Sequence, residues 1–214
     1  MASETSVRRL ALALSLFLLI AASLIPQPVL AAGSPHAETP ALPDLTTFVL
    51  SVENGHSNIL RGVYVDGIFA LPVIQQPSTD AFYVSKLADG LTQFSLAARY
   101  GNIGLLAHDY LSGQYFPKLA LGGRVFLIYG KGRIETFRIT NVYRYRAIDP
   151  YDTTSNFIDL DTNQYLTDYQ VFSKVYVGTE HVTFQTCIEQ DGNLSWGRLF
   201  VIAEPDTGPD SSTP

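Results

Sequence analysis

Cys187 is the only cysteine among the 214 residues, and it ends an alternating, strand-like run, His-Val-Thr-Phe-Gln-Thr-Cys. No internal disulfide can form, so the thiol is a buried apolar filler, an intermolecular linker or a nucleophile. A nucleophilic cysteine needs a partner that generates or stabilises its thiolate, usually a histidine, and a group that holds a developing oxyanion. Those partners must come from the few histidines of the chain and from its strand-end cations.

His108 is the histidine best placed to be that partner. It follows the apolar residues 103–107 and precedes a polar loop, and functional side chains often lie where a buried strand ends in a loop. His181 lies six residues before Cys187 on the same predicted strand, about 20 Å away if the strand is straight, so we expect it at the surface and not beside the thiol. His56 lies in a turn, where we expect it to be solvated. An exposed strand-end histidine without a chemical role remains the alternative interpretation of His108.

Arg198 is the candidate cation. Cys187 ends one predicted strand, residues 188–197 contain the turn signal Asp-Gly-Asn, and Arg198 begins the next apolar strand. A hairpin there brings Arg198 back beside Cys187. Because arginine stays protonated it cannot act as a base, but it can hydrogen-bond a carbonyl or oxyanion and favour a thiolate. A solvated strand-end arginine is the alternative.

The elements that must position these side chains are mostly short strands. Runs of branched and aromatic residues, separated by Gly-containing turn signals, predict strands at residues 47–52, 59–65, 68–71, 81–84, 103–107, 124–129, 135–146, 182–187 and 198–203. Helical spacing is limited to residues 87–100, to one turn at 115–119 and to residues 165–176, which are helix or loop. About eight strands with one or two short helices predict an all-β fold, a closed or nearly closed eight-stranded β-barrel.

The overall charge excludes one class of partner. The net charge is −6, whereas a nucleic-acid-binding surface requires clustered Lys and Arg, so we expect no nucleic acid to bind. The basic residues between 124 and 146 recur through predicted strands, which is typical of a solvated barrel face.

Both ends of the chain differ in composition from its middle. Arg8 and Arg9 precede an apolar run at 10–25 and a small-residue segment at 29–32, the order of a secretory signal, with a retained anchor at the membrane surface as the alternative. We expect a signal peptide or N-terminal anchor at 1–32, a flexible tether at 33–43, a barrel domain at 44–203 and a disordered tail at 204–214. The domain is then exported, extracellular or at the cell surface.

Three motifs in one order resemble a known family. Residues 182–187 (Val-Thr-Phe-Gln-Thr-Cys) are similar to a TLxTC strand, with Phe184 where Leu is usual. Residues 196–203 resemble the following strand, which begins with an essential arginine, and residues 101–108 resemble the segment that ends in the catalytic histidine. These are motifs of the sortases, cysteine transpeptidases of bacterial surfaces, and the resemblance extends over about residues 60–203 in order and spacing.

The resemblance implies a sortase barrel in which the three side chains converge. Cys187 would attack the Thr–Gly carbonyl of a C-terminal sorting peptide of a surface protein and form a thioacyl-enzyme. His108 would protonate the leaving amine and deprotonate an acceptor amine, Arg198 would hold the substrate backbone and oxyanion, and Thr186 would help to bind substrate. No cofactor is implied.

Some features depart from the family or leave the function open. Ala107 and Asp109 flank His108 where Gly and Arg are usual. Asp159 and Asp161 offer carboxylates that suit calcium, although solvated acids are the preferred interpretation without a full ligand loop. Two other functions use the same barrel: a catalytically weak peptide-binding or structural module, and a thiol hydrolase in which water resolves the acyl-enzyme.

Overall fold

The structure, a computed structural model, describes residues 41–208. The predicted signal peptide or anchor, most of the predicted tether and residues 209–214 lie outside the described residues. The strands are β1 Leu60–Val65, β2 Phe69–Gln75, β3 Leu91–Phe94, β4 Ile103–Leu106, β5 Arg124–Tyr129, β6 Ile134–Ala147, β7 Phe157–Asp159, β8 Tyr165–Leu166, β9 Val182–Gln190 and β10 Asn193–Pro205. The helices are α1 Leu45–Val52, α2 Ser95–Ala98, the 3₁₀ helix Ser112–Lys118 and α3 Asp168–Tyr176.

Eight of these strands form a closed ring. Their order is β10-β9-β4-β3-β2-β1-β5-β6, and a further pairing between β10 and β6 closes the ring, while β7 and β8 continue the sheet from the end of β6. The β2–β3 and β4–β9 pairs are parallel, and all other pairs are antiparallel. The predicted all-β, eight-stranded barrel is therefore confirmed.

Alternate side chains of β9 and β10 face two different hydrophobic cores. Phe184 and Val201 point into the main core inside the barrel. Phe200 points the other way, into a second core that α3 covers with Val175 and Tyr176. Helix α3 starts at a capping box between Thr167 and Gln170, which satisfies backbone donors at its first turn. The helix thus lies on the outer face of the strands that carry Cys187 and Arg198.

Three sequence-based assignments are wrong. Residues 47–52 form helix α1, because the Asp44 side chain accepts the Thr47 N–H at the N-terminus and Phe48 packs against Tyr64. Residues 81–84 form no strand. The predicted helix at 87–100 is instead β3 followed by the four-residue α2, since Leu91 is fully buried in the barrel core and pairs with Val73. Helix α3 confirms helix within residues 165–176.

The C-terminal part of the barrel extends further than predicted. Strand β10 continues to Pro205, which pairs with Phe137, and Asp206 forms an ion pair with Arg138, so the first residues of the predicted tail belong to the barrel. The predicted solvated basic face also carries exposed ion pairs, such as Arg144 with Asp161. No helix among residues 41–208 is long and apolar enough to span a membrane.

Candidate functional site

Cys187 and Arg198 lie on paired strands, and His108 follows β4, the other neighbour of β9, by two residues. Cys187 of β9 and Arg198 of β10 are direct cross-strand partners. In the parallel β4–β9 pair Leu106 is the partner of Gln185, and the Ala107 N–H continues the ladder by donating to the Gln185 carbonyl at 3.2 Å. Strand β4 ends at Leu106, so His108 lies in the loop that leaves this strand pair next to the β9 residues that follow Gln185.

The side chains of Cys187 and Arg198 lie on the same, outer face. Gln185 faces α3, because its side-chain oxygen accepts the hydroxyl of Tyr176. Phe200 faces α3 as well, in the second core. Because side chains alternate along a strand, Cys187, two residues after Gln185, and Arg198, two residues before Phe200, share that face.

Strand β4, which precedes His108, follows the same alternation. Leu105 lies inside the barrel, whereas a Cβ added at Gly104 would lie 3.1 Å from the ring of Tyr176 on the outer face. His108 comes two residues after the end of β4, so this alternation does not fix the direction of its side chain, whose ring contact is with Tyr110.

The thiol of Cys187 is partly buried, and its surroundings shift its pKa in opposite directions. Burial has the largest effect and raises the pKa of Cys187, while the Arg198 guanidinium lowers it. The Asp109 carboxylate raises this pKa, and a hydrogen bond with the Ser195 hydroxyl lowers it. The net effect is a raised pKa, so the thiol form predominates at neutral pH.

Ser195 reaches the sulfur because β10 is irregular there. The β9–β10 pairing shifts register between Asn193 and Gly197, which marks a β-bulge, and Ser195 lies within it. The Arg198 Nη1 donates to the carbonyls of Ser195 (3.0 Å) and Gly197 (2.8 Å), so the guanidinium holds the bulge in place. The position of Ser195 near the thiol was not predicted from the sequence. The one available signal was the length of the 188–197 connection, which exceeds that of a tight hairpin.

His108 is fixed by its backbone and by a ring contact. Its carbonyl accepts the N–H groups of Leu111 and Gly113, at 3.0 and 2.9 Å, at the start of the 3₁₀ helix. Its imidazole stacks on the ring of Tyr110, with 5.1 Å between ring centroids. A Cβ at position 113 would lie 2.6 Å from the His108 carbonyl oxygen, so the turn requires glycine.

Thr186 does not join the other three predicted site residues. It lies one residue before Cys187 and therefore on the opposite, inward face, where it is 3% exposed. Its hydroxyl has no hydrogen-bond partner between residues 41 and 208 and faces Gly113. The Thr186 side chain is therefore buried on the inward face, and its role in substrate binding stays a prediction.

Two cavities flank the candidate site. A groove of about 350 Å³ runs between α3 and the outer face of the sheet, and its lining includes Arg198, Phe200, Gln185 and Phe172. A pocket of about 420 Å³ lies beside the β9–β10 hairpin and the 3₁₀ helix, and its lining includes Cys187. No residue lines both cavities, so the partners Cys187 and Arg198 open on different spaces.

The two other histidines of the barrel, His56 and His181, differ in solvent exposure. His56 is exposed, as predicted. The expectation of a surface position for His181 is wrong: it is 6% exposed, and its ring nitrogens lie 2.7 Å from the Thr179 carbonyl oxygen and 2.9 Å from that of Val175. His181 therefore ties the end of α3 to the start of β9, a structural role.

Among the described residues no group of three or more His, Cys, Asp and Glu side chains could hold a metal ion. The carboxylates considered for calcium have other partners. Asp161 pairs with Arg144, and Asp159 accepts the N–H groups of Asp161 and Thr162.

No family model and no curated protein matches this chain. Among solved structures, sortase C from Clostridium perfringens SM101 is similar at 18% identity over 70% of this chain and 71% of that one, with a TM-score of 0.43. Sortase A of Listeria monocytogenes is 13% identical over 69% and 87% of the two chains, with a TM-score of 0.44. The SrtA sortase from Actinomyces oris is 12% identical over 76% and 91%, with a TM-score of 0.47. Sortases are thus among the proteins of known structure to which this chain is similar, as the motifs predicted.

Proposed function

We propose that this chain is a sortase-like cysteine transpeptidase that acts outside the cell or at its surface. It cleaves a C-terminal sorting peptide of a surface protein through a thioacyl-enzyme and transfers the acyl group to an amine. The observation that supports the proposal is the pairing of Cys187 with Arg198 on one face of β9 and β10, with His108 two residues after the neighbouring strand β4. A nucleophile, a proton carrier and a fixed cation are the groups that acyl transfer requires.

In the first half-reaction the Cys187 sulfur attacks the peptide carbonyl. A C–S bond forms, the C–N bond breaks, and the leaving amine takes a proton from the His108 imidazolium. In the second half-reaction an incoming amine gives a proton to His108, its nitrogen bonds the carbonyl carbon, and the C–S bond breaks to release the thiolate. One histidine thus serves as acid and then as base.

Arg198 suits the role of oxyanion and backbone donor. The hydrogen bonds that it makes to residues 41–208 use Nη1 alone, which leaves Nη2 and Nε as donors. Arg198 also lines the groove beneath α3, where Phe172 and Phe200 supply apolar walls. A peptide lying in that groove would bring its carbonyl to the guanidinium. The N–H donors of Arg198 would then already point at the negative charge that develops on the carbonyl oxygen.

Because the pKa of Cys187 is raised, the proposed reaction runs through a small thiolate fraction. Burial and Asp109 favour the thiol, while Arg198 and Ser195 favour the thiolate. The contribution of Asp109 is the observation that favours the second candidate, a catalytically weak module that binds peptides in the same groove. Hydrolysis, with water in place of the amine, uses the same residues.

The full chain, incubated with a library of sorting peptides with and without a primary amine, tests the proposal. We expect a ligated product in the presence of amine and none from Cys187→Ala. Free acid as the sole product would identify a hydrolase. Peptide binding without either product, by both wild type and Cys187→Ala, would identify a binding module.

A further inference from the structure

The pocket of about 420 Å³ that opens on Cys187 contributes nothing to the reaction as described so far. It lies between the loop after β4, the 3₁₀ helix and the β9–β10 hairpin. Besides Cys187, its lining comprises Asp109, Tyr110, Gly113, Gln114, Pro117, Ile188, Glu189, Leu194 and Leu199. The sulfur therefore has a space beside it that is separate from the groove of Arg198.

The charge of this pocket is entirely negative. Asp109 and Glu189 line it, and no Lys, Arg or His does. Asp109 is partly buried and forms no hydrogen bond or ion pair with residues 41–208, so its carboxylate is available to a cation. Glu189 uses one oxygen to accept the Gly192 N–H, which holds its carboxylate in the hairpin.

We propose that this pocket is the acceptor subsite, and that it takes a primary amine in its ammonium form. The inference rests on the proposed function, because an acceptor is needed only if Cys187 becomes acylated. The Asp109 carboxylate attracts the ammonium group, while the acyl chain occupies the groove on the Arg198 side. The two substrates thus reach the sulfur from different spaces.

Proton transfer can follow from this placement. Tyr110 lines the pocket and stacks on His108, so the imidazole lies at the margin of the same space. The bound ammonium first loses one proton to solvent, and the neutral amine then attacks the thioester carbonyl. His108 takes the second proton from the amine nitrogen as the C–S bond breaks and releases the Cys187 thiolate. Asp109 raises the local concentration of the cation and takes no proton itself.

A first test needs no turnover. The full chain is treated with a cationic and with a neutral methanethiosulfonate, each of which forms a mixed disulfide at Cys187 and releases methanesulfinate. The ratio of the two rates cancels any change in thiolate fraction. We expect Asp109→Asn to lower the cationic-to-neutral ratio about five-fold, as the loss of one close charge predicts, and Glu189→Gln to lower it less.

Asp66→Asn is the matched control. Asp66 is exposed and forms an ion pair with Arg124. Arg124 is the cross-strand partner of Arg138, and Arg138 is the cross-strand partner of Glu204. Glu204 lies near the end of β10 that is far from Arg198. The ratio of Asp66→Asn should equal that of wild type. An unchanged ratio in Asp109→Asn, or an equal fall in Asp66→Asn, would overturn the inference.

A second test separates the inference from the proposed function. The preformed acyl-enzyme is offered a cationic alkylamine or hydroxylamine, which is uncharged at neutral pH. Asp109→Asn should lose preference for the alkylamine and keep its rate with hydroxylamine relative to wild type. If wild type forms no acyl-enzyme, the proposed function fails and the acceptor role with it. If Asp109→Asn forms the acyl-enzyme with the wild-type nucleophile preference, the acceptor subsite alone is overturned.

Discussion

Arg198 lies directly opposite Cys187 in the antiparallel β9–β10 pair, and its guanidinium also holds the bulge that contains Ser195. One side chain therefore has two effects on the sulfur. Its charge lowers the pKa of Cys187, and its hydrogen bond to the Ser195 carbonyl positions the residue whose hydroxyl contacts the sulfur. Substitutions at the two positions should separate these effects.

Arg198→Gln removes the charge and the forked donor. We expect the rate of thioacyl formation to fall by about 10²-fold or more, the usual cost of losing an oxyanion donor, and the pKa of Cys187 to rise. Arg198→Lys should recover part of the pKa but not the rate, because an ammonium lacks the planar fork. Single-turnover mass spectrometry measures the rate, with Arg144→Gln, an exposed ion-pair variant, as the control. Wild-type acylation by Arg198→Gln would contradict the role given to the guanidinium.

Ser195→Ala should move the reactivity of the thiol to higher pH. The hydroxyl hydrogen bond lowers the pKa of Cys187, so its loss raises that pKa, and the midpoint of the alkylation rate against pH shifts upward. Ser195→Thr keeps a hydroxyl and should restore the wild-type midpoint. Asp109→Asn should shift the midpoint in the opposite direction, since its carboxylate raises the pKa. Midpoints that coincide in all variants would show that neither group acts on the thiol.

His108→Gln should slow both half-reactions by about 10²-fold to 10⁴-fold, the range for removal of a general acid or base. The fold should remain, because the backbone carbonyl of residue 108 makes the contacts to Leu111 and Gly113. His56→Gln, at an exposed turn, is the matched histidine control. Acylation and deacylation rates from rapid quench, with thermal melting to verify folding, check the prediction. Rates equal to those of His56→Gln would exclude His108 as the proton carrier.

Gly113→Ala should destabilise the fold by about 1–3 kcal/mol, the typical cost of overpacking. The new methyl group would meet the His108 carbonyl at 2.6 Å and the buried Thr186 hydroxyl. It should also lower activity by displacing the turn after His108. Denaturant unfolding measures the free energy, and Lys118→Gln, an exposed change in the same 3₁₀ helix, is the control. A Gly113→Ala protein as stable as the control would show that this turn can relax.

The site could be predicted from sequence to the extent that it depends on strand periodicity. The alternation in 182–187 and the apolar run in 198–203 define strands whose pairing alone brings Cys187 opposite Arg198. The segment before His108 is a buried strand, and its parallel pairing with β9 brings the loop that carries His108 next to β9. Closure of the barrel follows from the number of such strands.

The features that sequence did not predict depend on tertiary contacts. A bulge is invisible to periodicity, so the position of Ser195 beside the sulfur could not be read from pattern. His181 is buried because its ring nitrogens lie within hydrogen-bond distance of the Val175 and Thr179 carbonyl oxygens, and those residues lie in and after a helix predicted only as helix or loop. Strand alternation predicts an inward side chain for Thr186, as the structure shows. The substrate-binding role was predicted from the family resemblance alone.

The most direct measurement is the intact mass of the full chain during reaction with a sorting peptide that it cleaves, before an amine is added. We predict a species that is heavier by the acyl fragment and carries the modification at Cys187. This species should be absent from Cys187→Ala and should convert to ligated product when amine is supplied. Absence of any acyl adduct across the peptide library, in wild-type protein whose Cys187 still reacts with a small alkylating reagent, would contradict the thioacyl-enzyme mechanism.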